Sequence, residues 1–211
     1  MPYISAEERP ALDEIIESVA EGLASELSRG PNTETSISTL YRRTFWDIGI
    51  ALLKLESGGS VGDAPGPKEH LALRIFEGSE GKHDGGAWLG RLNYSLTRLV
   101  QVVPRKMVEK GAWQEEIRYW VYAQTAGALT RSAMDFHSMG GDEWFADGLV
   151  GVLGDVKDEY KRRVNAAYET FQIQKAGDCY TTRYKAELSE VKDAAGHVIG
   201  FSEVMKDLKR T

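Results

Sequence analysis

At 211 residues, with 42% hydrophobic and 27% charged residues, the chain has the composition of a globular protein long enough to bury a core, which excludes a disordered or low-complexity polypeptide. Its formal net charge of −6 argues against a general affinity for nucleic acid or anionic membrane, since phosphate binding needs a basic surplus. The only cysteine, Cys179, leaves no intrachain disulfide and no cysteine-based zinc site, and suits a reducing compartment.

The opening residues, MPYISAEERPALDE, are acidic and lack the basic and apolar runs of a secretory leader. No stretch approaches 18 consecutive apolar residues, so no membrane span is expected and the location is read as cytoplasmic. The first predicted helix covers about Ser5 to Leu27, with Leu12, Ile15, Ile16, Val19, Leu23 and Leu27 in one stripe. Ser5 and Glu8 have capping-box spacing, although Pro10 can delay the start. After a loop at Ser28 to Ser36, a second helix is predicted over Ile37 to Leu55. Ile37, Leu40, Tyr41, Phe45, Ile48, Leu52 and Leu55 form its core stripe, and Trp46, Ile50 and Leu53 fall on the other side, so it should bury two faces.

Glycine and proline dominate "SGGSVGDAPGPK" (57–68), a predicted loop, and His70 to Phe76 reads as a small helix or a strand. A second glycine-rich loop spans 77–90. It leads into a helix from Arg91 to Val103, cored by Leu92, Leu96, Leu99 and Val103 and ended near Pro104. A long helix is predicted from Ala112 to Met139. Trp113, Ile117, Trp120, Val121 and Ala128 share one face, Tyr122, Leu129 and Phe136 another, and the run Ala123, Ala126, Gly127, Ala128 suits close helix approach. Asp142 can cap a last helix reaching about Phe171, in which Gly148, Gly151 and Gly154 each cost about 1 kcal/mol relative to alanine. Residues 186–204 alternate as two short strands around a turn at Asp193 to Gly196. The predicted fold is therefore mainly α: a single-domain helical bundle of about five helices over 1–175, with a C-terminal β-hairpin appendage over 176–211.

The stretch "GVLGDVKDEYKRRVNAAYE" (151–169) carries the densest set of ionisable groups. At about 100° per residue, Leu149, Leu153, Val156, Tyr160, Val164 and Ala167 gather on one side. Asp155, Asp158, Glu159 and Arg162 take the opposite side, with Arg163 at the boundary. Asp158 with Arg162, and Glu159 with Arg163, are i,i+4 pairs of the kind found on solvated faces. Only if another layer covered that face would it have to be a ligand or metal site.

The same stretch carries a resemblance. Met1 to Ile4, Leu92 to Thr97, Gly151 to Leu153, Lys157, Glu159, Arg162, Arg163, Tyr168, Glu169, Gly177, Asp178 and Tyr180 follow the pattern MPYI, LNYxxT, GVLxxxKxExxRR, YE and GDxY. The chain thus resembles a family of small uncharacterised prokaryotic and phage proteins. That resemblance implies helical architecture and no particular activity. This chain departs from the pattern by extra segments at about Pro31 to Trp88 and Gln114 to Gly141, and by Gly148 and Gly154 where the family tends to carry glutamate.

Other candidates are weaker. "GSEGKHDGG" lacks phosphate-loop spacing, and Glu77, Glu80 and Asp84 would repel phosphate. Asn93, Tyr94, Thr97 and Gln101 form a polar strip that either lines a ligand cleft or is a helix edge with a wet tyrosine hydroxyl. The histidines at 70, 83, 137 and 197 show no metal-ligand spacing, and Cys179 has only Arg183 nearby to activate it. Trp113, Tyr119, Trp120, Tyr122, Trp144 and Phe145 concentrate aromatic surface that core packing or a second subunit would bury.

The reading that follows is a non-catalytic binding or interaction protein of a prokaryote or phage, self-associating through aromatic helix faces and needing no cofactor. Its expected partners are a second copy of the chain, another protein or a small anionic ligand. Candidate ligand-binding residues are Asn93, Tyr94, Thr97, Lys157, Glu159, Arg162, Arg163, Tyr168, Glu169 and Asp178. Catalysis stays open. The alternative is an all-α nucleotide pyrophosphohydrolase acting on a nucleotide polyphosphate, with Mg²⁺ held by Glu14, Glu17, Asp155, Asp158 and Glu159.

Overall fold

The structure, a computed structural model, describes residues 4–29, 37–79, 86–111, 118–139, 143–166, 170, 183–192 and 198–208. The chain divides into two compact units, Met1–Ala167 and Tyr168–Thr211. The protein is mainly helical. Its first unit holds six α-helices among the described residues: α1 (Arg9–Leu27), α2 (Ile37–Glu56), α3 (Pro67–Phe76), α4 (Ala87–Glu109), α5 (Arg118–Met139) and α6 (Glu143–Tyr160), with a π-helical turn at Lys161–Asn165.

The apolar stripes explain which surfaces meet. Helix α1 packs against α4 and α3, α4 against α6, α6 against α5, α5 against α2, and α2 against α3, so the contacts close a ring. Leu12, Ile16, Val19 and Leu23 of α1, Tyr41, Phe45, Ile48 and Leu52 of α2, and Leu92, Leu96, Leu99 and Val103 of α4 are all buried, as their spacing predicts. At the start of α1, the Ser5 amide donates to Glu8 Oε2 at 3.1 Å and the Glu8 amide to Ser5 Oγ at 3.4 Å, the reciprocal bonds of a capping box. Pro10 has no N–H to return to the preceding turn, and the helix proper begins at Arg9.

Four details refine or correct the expected elements. The ambiguous patch at 70–76 is a sixth helix, α3, opened by Pro67 in its first turn and burying Leu71, Ala72 and Ile75. Arg91 closes it from outside: its Nη1 donates to the carbonyls of Ile75 at 2.8 Å and Glu77 at 2.6 Å. Helix α4 starts at Ala87, four residues early, after Gly86 turns the chain at φ +80°. Trp88 therefore lies in a helix and not in the loop predicted for 77–90, and stacks on Phe145 of α6 at a centroid distance of 4.9 Å. The same helix continues through Pro104 to Glu109, because buried Val102, Val103 and Met107 hold the turns on either side. Finally, α6 is interrupted after Tyr160 by the π turn, where the Ala166 amide donates to the Lys161 carbonyl five residues back, and Ala166 and Thr170 are again α-helical.

Among the described residues, the two faces expected on the long helix adjoin. Val121, Thr125, Ala128, Leu129, Ser132 and Phe136 of α5 are all buried, within about 100° of one another on the helix at 100° per residue. Of the small-residue run only Ala128 is fully buried, while Ala123 is exposed and Ala126 and Gly127 are half-buried. A close approach also occurs at Gly49 on α2, which the ring of Phe136 covers. The expected Asp142 cap, Trp113 and Ile117, and the glycine loop at 80–85 lie outside the described residues.

Candidate functional site

The acid-and-arginine face of α6 points to solvent. Asp155 and Asp158 are exposed, as are Arg162 and Arg163 on the π turn. Glu159 is the exception: its side chain is only 11% exposed because two guanidinium groups close over it. Arg162 donates to it twice, through Nε at 2.9 Å and Nη2 at 2.8 Å, and Arg163 Nε donates to the same Oε1. Those charge-assisted bonds from Arg162 and then Arg163 hold the Glu159 carboxyl down to about 2. The bidentate partner of Arg162 is thus Glu159 at i,i+3, where the spacing suggested Asp158 at i,i+4. The nearest lysine to Asp158 is Lys157, whose Nζ is 3.9 Å from Asp158 Oδ1. Tyr168, Glu169 and Asp178 lie outside the described residues.

The strip on α4 runs from buried Asn93 through half-buried Tyr94 and Thr97 to exposed Gln101. Tyr94 is half-buried, and its hydroxyl donates to Asp13 of α1 at 3.0 Å, while the Arg9 guanidinium lies 5.8 Å from its ring centroid. Burial first, and then the bond to Asp13, raise the Tyr94 phenol above its ordinary range. Asn93 is buried and accepts a long bond of 3.5 Å from the Thr97 hydroxyl one turn on. Tyr94 sits in the α1–α4 seam, which is laced with ion pairs. Arg91 meets Glu8 at 3.0 Å, Arg98 meets Asp13 at 3.2 Å, and Lys106 meets Glu17 at 3.0 Å and Glu21 at 3.3 Å. Arg105 also bonds Glu17, and Lys110 bonds Glu21.

The candidate metal ligands are accordingly divided. Glu17 belongs to that seam, Glu14 is exposed on α1, and Asp155, Asp158 and Glu159 belong to the outer face of α6. Among the described residues no group of three or more His, Cys, Asp or Glu side chains comes within reach of one ion. His70 and His137 are exposed, whereas His83, His197 and Cys179 lie outside the described residues.

Among the described residues, the aromatic residues singled out in the sequence pair in two places. Phe145 is buried against Trp88, and Trp144, 48% exposed, meets Trp88 edge-on at 6.1 Å and 66°. Tyr122 is half-buried and edge-on to Tyr160 at 6.2 Å. Spacing alone had paired Trp144 and Phe145 as equals. In the fold one is core and its neighbour is surface, because adjacent positions on a helix point about 100° apart.

Among the described residues no helix is long and apolar enough to cross a membrane. No curated protein and no solved structure matches the chain. Residues 1–179 match the model of a domain of unknown function, DUF6899, a span containing the MPYI, LNYxxT and GVL–RR motifs, and the chain belongs to that family.

Proposed function

We propose that the protein is a non-catalytic binding protein that self-associates through an aromatic helix face. The observation that carries this reading is Trp144, an indole 48% exposed at the start of α6 and backed by the Trp88–Phe145 stack. A large aromatic held rigidly at the surface by a packed second layer has the character of an interface anchor: much area, little entropy left to lose. The bundle domain through residue 175 carries this surface. The remaining chain, 176–211, is proposed as a β-hairpin appendage, supported by antiparallel pairing of β1 (Arg183–Lys192) with β2 (Val198–Leu208).

The alternative, a Mg²⁺-dependent nucleotide pyrophosphohydrolase, requires carboxylates available to a metal. Glu17 is held by Lys106 and Arg105, and Glu159 by Arg162 and Arg163, so each ion pair would have to be broken first. Sedimentation equilibrium between about 1 and 100 µM, the range in which a micromolar Kd is resolved, tests the preferred reading. The native chain should associate, and Trp144→Ser should be monomeric with an unchanged helical circular-dichroism signal. A monomeric native chain across that range would overturn the proposal.

A further inference from the structure

A groove between α2 and the C-terminal end of α5 has a chemistry that neither the aromatic surface nor the α1–α4 seam shares. Its cavity measures about 420 Å³, in the size range of small-molecule sites, and Arg42, Arg43, Trp46, Asp135 and Met139 line it. Arg42, Arg43 and Trp46 share one side of α2, since positions three and four apart are neighbours on a helix. Two of the groove's features are locked. Trp46 stacks on buried Phe136 with centroids 5.2 Å apart and planes 16° from parallel, so the indole is fixed. Arg42 is held by Asp135 through Nε and Nη2, the latter at 2.6 Å. That fork uses two of the five guanidinium N–H groups and leaves three unspent.

Arg43 is different. It is exposed and pairs with no described residue. Arg42 and Asp135 cancel, so the groove keeps one positive charge, on a protein whose formal net charge is −6. One uncompensated guanidinium calls for a monoanion. The indole and the Met139 side chain call for an apolar or planar body beside it, and the volume is too large for a bare inorganic anion.

We propose that this groove binds a small organic carboxylate, its head on Arg43 and the free edge of Arg42, and its apolar body against Trp46 and Met139. Asp135 acts as a positioning residue that holds Arg42 in plane. The inference goes beyond self-association and does not depend on it.

Isothermal titration with benzoate as the probe tests it, alongside benzyl alcohol, an uncharged molecule of the same shape, and inorganic phosphate. Benzoate should bind one site per chain with a Kd at or below about 1 mM. Benzyl alcohol and phosphate should each bind at least about tenfold more weakly, a difference near 1.4 kcal/mol. Arg43→Ala should weaken benzoate by a similar factor at an unchanged melting temperature, whereas Arg29→Ala, on exposed surface at the end of α1, should leave it unaltered. No saturation with benzoate by about 10 mM overturns the proposal. So does phosphate binding more tightly than benzoate, or an Arg43→Ala affinity equal to that of the native chain.

Discussion

Gly49 is the residue on which the α2–α5 contact turns. A Cβ at that position would fall 2.3 Å from Phe136 Cζ and 2.6 Å from Cε1, and the ring cannot retreat because it stacks on Trp46. Gly49→Ala should therefore overpack the contact and cost about 1–3 kcal/mol in denaturant unfolding. Gly151, by contrast, is exposed in α6, and a Cβ there would meet nothing within 4 Å. Gly151→Ala should raise stability by up to about 1 kcal/mol, the helix-propensity difference alone. Equal effects of the two substitutions, or the opposite signs, would contradict this packing. Gly148 falls between them, its Cβ position 3.0 Å from Leu89 Cδ2. In the sequence the glycines at 148, 151 and 154 looked alike and Gly49 drew no notice, because the need for glycine is set by what a partner helix presents. A signal for the groove was present as well: Arg42 and Arg43 adjoin on α2, three and four residues before Trp46.

At the scale of elements, the α1–α4 seam has a measurable consequence. The bond from Lys106 is the largest of the effects that hold the Glu17 carboxyl below its usual 4.5; burial opposes it, and the bond from Arg105 adds a further, smaller lowering. Glu8 is lowered mainly by Arg91 and Ser5, and Glu21 by Lys110 and Lys106. A carboxyl whose folded pKa is depressed adds stability above its unfolded value and loses it as pH falls through the folded one. The melting temperature should thus fall on acidification below about pH 4.5, and Lys106→Met should flatten that acid limb. The Glu17–Lys106 pair, with Glu17 35% exposed, should contribute on the order of 0.5 kcal/mol after solvent screening. An acid limb identical in the variant would remove the seam from the account. Lys106 itself, raised by the same glutamates, contributes below its usual 10.5 and loses that only as pH rises past its folded value. The acids and bases were plain in the sequence, but their pairing was not. Likewise Pro104 looked like an end to α4, since local chemistry disfavours it in a helix interior, and tertiary burial of the flanking valines prevailed.

For the whole molecule, the ring of six helices encloses a hydrophobic core whose buried members run from Ile4 to Tyr160 among the described residues. A chain ending at residue 167, the limit of the first compact unit, should unfold in one cooperative transition, with a melting temperature within about 3 °C of the full chain, or roughly 1 kcal/mol at this size. A loss several times larger would mean that the second unit contributes to the core. By itself the sequence determined the helical class, the position of most helices, the buried stripes of α1, α2 and α4, the solvated face of α6 and the family motifs. Each of these follows from local rules: which residues recur on one side of a helix, and which side chains tolerate water. The tertiary structure alone decided that α3 is a helix, that Gly49 meets Phe136, and that Arg42 meets Asp135 across 93 positions of sequence. Those depend on the distance and rotation between packed helices, which emerge only when all the stripes are buried together and no single helix's periodicity encodes.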